Sequence, residues 1–133
     1  DLIKYESNHY QLPHLYQEYI SSSKGIDARL IVIGGHVIAS MLRINQKGDF
    51  RSNIAGGGVG KDFIPNDAFI DMAEKVSKIL KLDYCGVDIL FGENGEPILC
   101  EVNSNAFIEG IEKATSVNVA SIYADYIYNK IYQ

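Results

Sequence analysis

A chain of 133 residues, 47% hydrophobic and 22% charged, is long enough to bury a core of its own and has the make-up of one globular domain. Its net charge of −5, from 12 Lys and Arg against 17 Asp and Glu, excludes a general nucleic-acid or anionic-membrane surface, so any bound anion must be held by local donors. No apolar run approaches bilayer length and no basic-then-apolar leader opens the chain, while a first residue Asp1 rather than Met leads one to expect a piece of a longer protein.

Residues 1–11 are polar and unpatterned and are expected to form a loop or the tail of a truncated helix. Residues 12–20 read as a short strand whose core is Leu15-Tyr16-Gln17-Glu18-Tyr19-Ile20, with Pro13 at an edge where a missing N–H matters least. A loop, 21–25, follows. Residues 27–33 and 36–44 then form a hairpin about Gly34-Gly35, a dipeptide that accepts the positive φ of a tight turn. Asp27, Arg29, Ile31 and Ile33 share one face of its first strand. Arg29 and Arg43 are odd members of apolar strands, and such arginines are either solvated at an edge or paired with phosphate or carboxylate through the planar fork. An ideal register leaves Arg43 on the face opposite Arg29, so a bulge is required for both to meet one ligand.

Residues 46–61 read as a long loop with glycines at 56, 57, 58 and 60. A phosphate-binding P-loop is excluded: the pattern needs Gly at 55 and Ser or Thr at 62, where this chain has Ala55 and Asp62. A binding loop or lid is the expectation, against a plain connector. Asn66 can cap a helix running to about 82, with Phe69, Met72, Ala73, Val76, Ile79 and Leu80 on its buried stripe.

Two more strands follow. Cys85-Gly86-Val87-Asp88-Ile89-Leu90-Phe91 and Ile98-Leu99-Cys100-Glu101-Val102-Asn103 flank Asn94-Gly95, a type I′ hairpin signal. That turn sets Leu90 against Leu99 and Asp88 against Glu101, with Cβ atoms about 5 Å apart, where like charges are destabilising unless neutralised. Asn103 joins their face, and Val87, Ile89, Cys100 and Val102 point the other way into apolar surroundings. Oxygen donors of this kind suit a hard cation, Mg²⁺ better than Ca²⁺; a shared proton that raises one carboxyl pKa, or solvation at a frayed hairpin, are the alternatives. Cys85 and Cys100 do not face each other, so no disulfide and a reduced, cytosolic setting are expected. His9, His14 and His36 lack metal-ligand spacing.

A helical turn at 107–114 and a helix at 118–132, with Val119, Ile122, Tyr123, Tyr126, Ile127 and Ile131 inward, close the chain. Hairpins dominate, so the fold class is α+β, a largely antiparallel sheet with packed helices in a single domain over 1–133.

Tyr16-Gln17-Glu18-Tyr19-Ile20, Gly25-Ile26-Asp27-Ala28-Arg29, Gly48-Asp49-Phe50-Arg51-Ser52-Asn53, Gly86-Val87-Asp88-Ile89-Leu90, Glu101-Val102-Asn103 and Glu109-Gly110-Ile111-Glu112-Lys113-Ala114-Thr115 occur in the order seen in the RimK-type ATP-grasp ligases, and the chain from Leu15 onward resembles the C-terminal half of that fold. The family includes the enzyme that adds glutamate to ribosomal protein S6. The resemblance implies ATP with Mg²⁺ or Mn²⁺ as cofactors, and carboxylate–amine ligation through an acyl phosphate. Gln17, Glu18, Tyr19 and Ile20 would be the adenine-holding hinge, Asp27 a ribose-side contact, and Arg51, Ser52 and Asn53 a triplet reaching the nucleotide and its phosphates. Asp88, Glu101 and Asn103 would be the Mg²⁺ ligands. Arg29 and Arg43, with Arg51, would be catalytic, near the transferred phosphate and the acceptor carboxylate. The partners implied are an amino acid and a carboxylate acceptor (a protein C-terminus, a carrier protein, a peptide or a small molecule), with a homo-oligomer as the full-length form and no nucleic acid or membrane.

Two departures stand out. Asn105-Ala106-Phe107 follows Ser104 where the family often has Ser-Pro-Gly, and the preceding half of the fold, with its phosphate-gripping lysine and flap, is not in this chain. The chain alone is therefore expected to be a weak catalyst or none. A non-catalytic nucleotide-binding module, or a structural α+β domain with a fortuitous acidic hairpin, are the competing readings.

Overall fold

Glycine pairs and alternating apolar residues dictate the centre of the fold. In a computed structural model that describes residues 15–45 and 58–132, Gly34 and Gly35 take φ of +59° and +84° and join β1 (Ile26–Ile33) to β2 (His36–Asn45). β3 (Gly58–Asp62) pairs with the outer side of β2. After helix α1 (Asp67–Leu80), β4 (Tyr84–Phe91) pairs with the inner side of β1, and β5 (Pro97–Asn103) closes the row. The result is a five-stranded sheet in the order β3-β2-β1-β4-β5 with every neighbour antiparallel. Helices α2 (Glu109–Thr115) and α3 (Val119–Tyr132) follow.

Both faces of the sheet are covered. Ala28, Leu30, Val32, Cys85, Val87 and Ile89 pack against Phe69 and Ala73 of α1. Ile31, Ile33, Ala39 and Met41, on the other face, pack against Ala106, Ile111 and Val119. The α+β expectation holds. Among the described residues, no helix is long and apolar enough to cross a membrane.

The expected strand at 12–20 is not formed where it is described: 15–20 are irregular, with Leu15 84% and Tyr16 70% exposed. Its place in the count is taken by β3, from the end of the expected long loop; a glycine-rich sequence forms an edge strand because the ladder of β2 offers it partners from Met41 to Asn45. The 21–25 loop contains a 3-10 turn, Ser21–Ser23, anchored to the end of β4 by Ser22 Oγ donating to Phe91 O (2.8 Å) and Phe91 N donating to Ser23 Oγ (3.0 Å).

Helix α1 starts as expected, with Asn66 Oδ1 accepting from Phe69 N at 3.3 Å. Its buried stripe ends early: Ser77 is buried while Ile79 and Leu80 are 66% and 50% exposed. The reason lies in the C-terminal cap. Lys81 is left-handed (φ 54°) and Leu82 N donates to Ser77 O, so Leu82, past the helix, folds back and packs on the core instead. In α3 the inward face likewise holds through Tyr126 and fails at Ile127 and Ile131, which are 40% and 65% exposed. Tyr126 sits over Gly34, where a Cβ would come within 2.5 Å of its ring, so the helix outruns the sheet at the hairpin tip.

Candidate functional site

The register of each hairpin decides what its polar residues can reach. In β1–β2 the pairs Ile33↔His36 and Val32↔Val37 obey the two-residue turn, but Ile31 then pairs with Ala39 and leaves Ile38 as the extra residue of a bulge. Every later pair is displaced by one, so Arg43 faces Asp27 and Met41 faces Arg29. Arg29 and Arg43 thereby share a face, as the sequence argument required of a bulge. In β4–β5 the turn is not type I′, because Gly95 alone has positive φ (+79°) and Asn94 does not. Gly95 N donates to Gly92 O and Gly92 N to Glu96 O, so Leu90 faces Ile98 rather than Leu99. A bulge at Cys100 then restores the expected partnership of Asp88 with Glu101. Cys100 is exposed rather than turned into apolar surroundings, and both cysteines are free thiols.

These strands bring four charges together at one end of the sheet. Arg29 grips Asp88 through Nε to Oδ1 and Nη2 to Oδ2, each at 2.7 Å. Arg43 donates from Nε to Asp27 Oδ1 at 2.7 Å, from Nη2 to Asp27 Oδ2, and from the same Nη2 to Asp88 Oδ2 at 2.8 Å. The order Arg29, Asp88, Arg43, Asp27 alternates in sign and sums to zero. Asp27, Arg43 and Asp88 are 4%, 7% and 4% exposed, and charges so buried persist only when paired and hydrogen-bonded. Burial works against the Arg43 charge, but the hydrogen bonds and charges of Asp27 and Asp88 outweigh it and hold its pKa above the ordinary guanidinium value. Two guanidinium groups therefore relieve the Asp88–Glu101 juxtaposition in this state, a solution the sequence reading had not weighed.

Glu101 lies across the ladder from Asp88, exposed to solvent, and Asn103 lies across from Gly86. Asn103 Oδ1 accepts from Asn105 N at 3.0 Å, which shapes the start of the next loop. That loop crosses the sheet over Gly86, where an added Cβ would meet Ala106 Cβ at 2.5 Å and Arg29 Nε at 3.7 Å, and Tyr84 donates its hydroxyl to Ala106 O. In the sequence, Ala106 shows as part of the departure from Ser-Pro-Gly after Ser104 and Gly86 as a glycine in the middle of an apolar strand, but nothing there marks Tyr84 or the contact between Gly86 and Ala106.

Among the described residues, no group of three or more His, Cys, Asp or Glu is poised to hold a metal. The donor set that does exist, two carboxylates and an amide oxygen, fits a cation that takes its remaining ligands from water and phosphate oxygens, as Mg²⁺ does.

Gln17, Glu18, Tyr19 and Ile20 lie in the irregular segment before the 3-10 turn and outside the charge network. Arg51, Ser52 and Asn53, with most of the glycine-rich loop, lie outside the described residues, as do residues 1–14. The described residues that flank the loop, Asn45 and Gly58, are ladder partners at the sheet end that carries Asp27 and Arg43.

Residues 4–127 match the family model of the RimK-like ATP-grasp domain. The chain belongs to that family. Its RimK-like relatives include beta-citrylglutamate synthase B of Homo sapiens, 39% identical over 117 residues, covering 88% of this chain and 30% of the relative. Ribosomal protein bS6--L-glutamate ligase of Salmonella paratyphi B is 44% identical over 106 residues, covering 80% and 35%. The solved ATP-grasp ligase PsnB, complexed with a phosphomimetic variant of a minimal precursor, Mg and ADP, superposes with a TM-score of 0.69 at 23% identity, over 86% of this chain and 34% of that one. This RimK-like chain thus shares the ATP-grasp fold and spans about a third of the length of the curated relatives it matches.

Proposed function

We propose that the chain is the nucleotide-facing C-terminal part of an ATP-dependent carboxylate–amine ligase that joins glutamate to a carboxylate acceptor. The observation that carries this reading is the buried Arg29–Asp88–Arg43–Asp27 network, set beside exposed Glu101 and half-buried Asn103 at one end of the sheet. Both relatives named above have glutamate in their product or donor, which supports glutamate as the amine, whereas the acceptors their names imply differ, so the acceptor is left at the level of a carboxylate.

In this reading a carboxylate oxygen of the acceptor attacks the γ-phosphorus of ATP, ADP leaves, and an acyl phosphate forms. The glutamate amine then attacks the acyl carbon and phosphate leaves, with the amine proton passing to solvent. Arg29 and Arg43 stabilise the charge on the transferred phosphoryl group; both hydrogen-bond Asp88 and would exchange that carboxylate for phosphate oxygens when nucleotide binds. Asp88, Glu101 and Asn103 would hold Mg²⁺, which when bound would neutralise phosphate charge. Gln17 to Ile20 hold the adenine, and Arg51, Ser52 and Asn53 reach the phosphates. The free cysteines Cys85 and Cys100 support a reducing, cytosolic setting. The part of the ligase beyond this chain supplies the remaining nucleotide contacts, so the isolated chain has little or no turnover.

The test uses the full-length protein. ATP-to-ADP turnover should require both glutamate and a carboxylate acceptor, and Asp88→Asn with Glu101→Gln should abolish it. ATP binding without turnover for any acceptor would instead support a nucleotide-binding module.

A further inference from the structure

We infer that Tyr84 is a positioning residue for the metal site: its hydroxyl holds the loop after β5 in the path that aims the side-chain oxygen of Asn103. The inference rests on the reading of Asp88, Glu101 and Asn103 as the Mg²⁺ ligands of the ligase. Residues 84, 86 and 88 alternate onto one face of β4, where they lie opposite Ile33, Ile31 and Arg29 of β1. Asp88 brings a carboxylate to that face, Gly86 leaves room on it, and Tyr84 brings a donor. The chain leaving β5 crosses the same face. Ala106, 6% exposed, rests on Gly86 so closely that a Cβ there would stand 2.5 Å from its own, and its carbonyl accepts the Tyr84 hydroxyl at 2.5 Å. The Tyr84 ring is braced in turn against Tyr123 of α3, with ring centroids 4.9 Å apart. Sheet and helix together thus present the phenol that grips the loop.

What the loop controls is the amide of Asn103. Asn103 is the ladder partner of Gly86, and its Oδ1 accepts from Asn105 N at 3.0 Å. Only the oxygen end of an amide can accept from a backbone N–H, so this bond decides which way the side chain is turned, and it leaves the oxygen a second lone pair for a cation. The donor, Asn105 N, stands one residue before the carbonyl-bearing Ala106, so where Tyr84 holds Ala106 is where Asn103 finds its partner. An outer group that fixes the orientation of a ligand changes metal affinity without touching the metal. Ala106 is buried, which leaves solvent badly placed to replace the phenol at its carbonyl. Ala106 also stands where Ser-Pro-Gly would put proline; the hydroxyl supplies a restraint that the fixed φ of a proline ring would otherwise give.

The experiment titrates Mn²⁺ into the full-length protein with ADP present and follows the bound ion by electron paramagnetic resonance, so no turnover is needed. Tyr84→Phe keeps the ring and its contact with Tyr123 and removes only the donor. Its Mn²⁺ dissociation constant should rise about tenfold, the lower end of what losing an outer-shell partner costs, while ADP without metal binds it as tightly as it binds wild type. Gly86→Ala, which pushes the same loop from below, should weaken Mn²⁺ in the same sense. Asn103→Ala loses the oxygen itself, so adding Tyr84→Phe to it should cost nothing further, because the two residues act as one unit. An unchanged constant in Tyr84→Phe, or a further full loss on the Asn103→Ala background, would overturn the inference and leave the ligase reading standing. Mn²⁺ bound with ADP and weakened by Tyr84→Phe, in a protein that turns over no acceptor, would defeat the ligase reading and leave the role of Tyr84 intact.

Discussion

Arg43 is the residue on which the site's electrostatics turn. It lies between two buried carboxylates, and removing it takes from Asp27 the guanidinium on both of its oxygens while leaving Asp88 to Arg29. Arg43→Ala should therefore destabilise the protein by about 3–5 kcal/mol, the cost of leaving a buried charge uncompensated. Because buried pairs are poorly screened, the loss should persist in high salt. Urea denaturation at low and high ionic strength checks this, and a loss below about 1 kcal/mol, the size of an exposed pair, would mean the network is solvated. The cysteines make a second residue-level case. Burial pushes the thiol pKa of Cys85 up, so the folded state favours its neutral form. That contribution is complete below the unfolded value of about 8.5 and is lost as pH rises through the folded value. Stability should fall as pH rises above about 8.5, less so in Cys85→Ala, as measured by urea midpoints. A thiol reagent should label exposed Cys100 in the native protein and Cys85 only on unfolding.

Between residue and molecule stand the hairpins and the loop that crosses them. Which side chains share a face was legible in each strand from alternation alone, but how two strands align was not. The Asp88–Glu101 partnership agrees with the sequence reading through two departures that compensate: a turn in which Asn94 does not take positive φ, and a bulge at Cys100. For Arg29 and Arg43 the need for a bulge was legible, while its position at Ile38 depended on packing across the sheet. The loop after β5 makes its own prediction. Gly86→Ala sets its methyl 2.5 Å from Ala106 Cβ and should cost about 1–3 kcal/mol, as overpacking does. Ala106→Gly in the same protein should recover most of that, so the pair should be strongly non-additive in a double-mutant cycle of urea stabilities. Additivity would show that the loop does not rest on Gly86.

For the molecule as a whole, the sheet is clothed by α1 on one face and by α2 and α3 on the other, which leaves the charge network at the sheet end where β1 begins and β2 and β4 end. Net charge is −5, and at this end the two arginines already neutralise two of the acids. Mg²⁺ alone should thus find Asp88 occupied and leave the melting temperature of the full-length protein unchanged, whereas ATP with Mg²⁺ brings anions for the arginines as well as a cation for the acids. Stabilisation of about 2.7 kcal/mol is expected at a hundredfold excess over Kd. Differential scanning calorimetry separates the cases, and a rise in melting temperature with Mg²⁺ alone would refute the exchange.

The sequence by itself determined the α+β class, the Gly34-Gly35 hairpin, the Asn66 cap and the family resemblance, because these depend on chemistry within a few residues or on the order of motifs along the chain. Only the tertiary structure decided that 15–20 stay out of the sheet, that Gly58–Asp62 enter it, and that Arg29, Asp88, Arg43 and Asp27 form one buried chain of charge. A ladder needs a partner that propensity cannot name. In a strand, one extra residue such as Ile38 turns every side chain beyond it to the other face, and that parity is settled by what packs above and below the sheet.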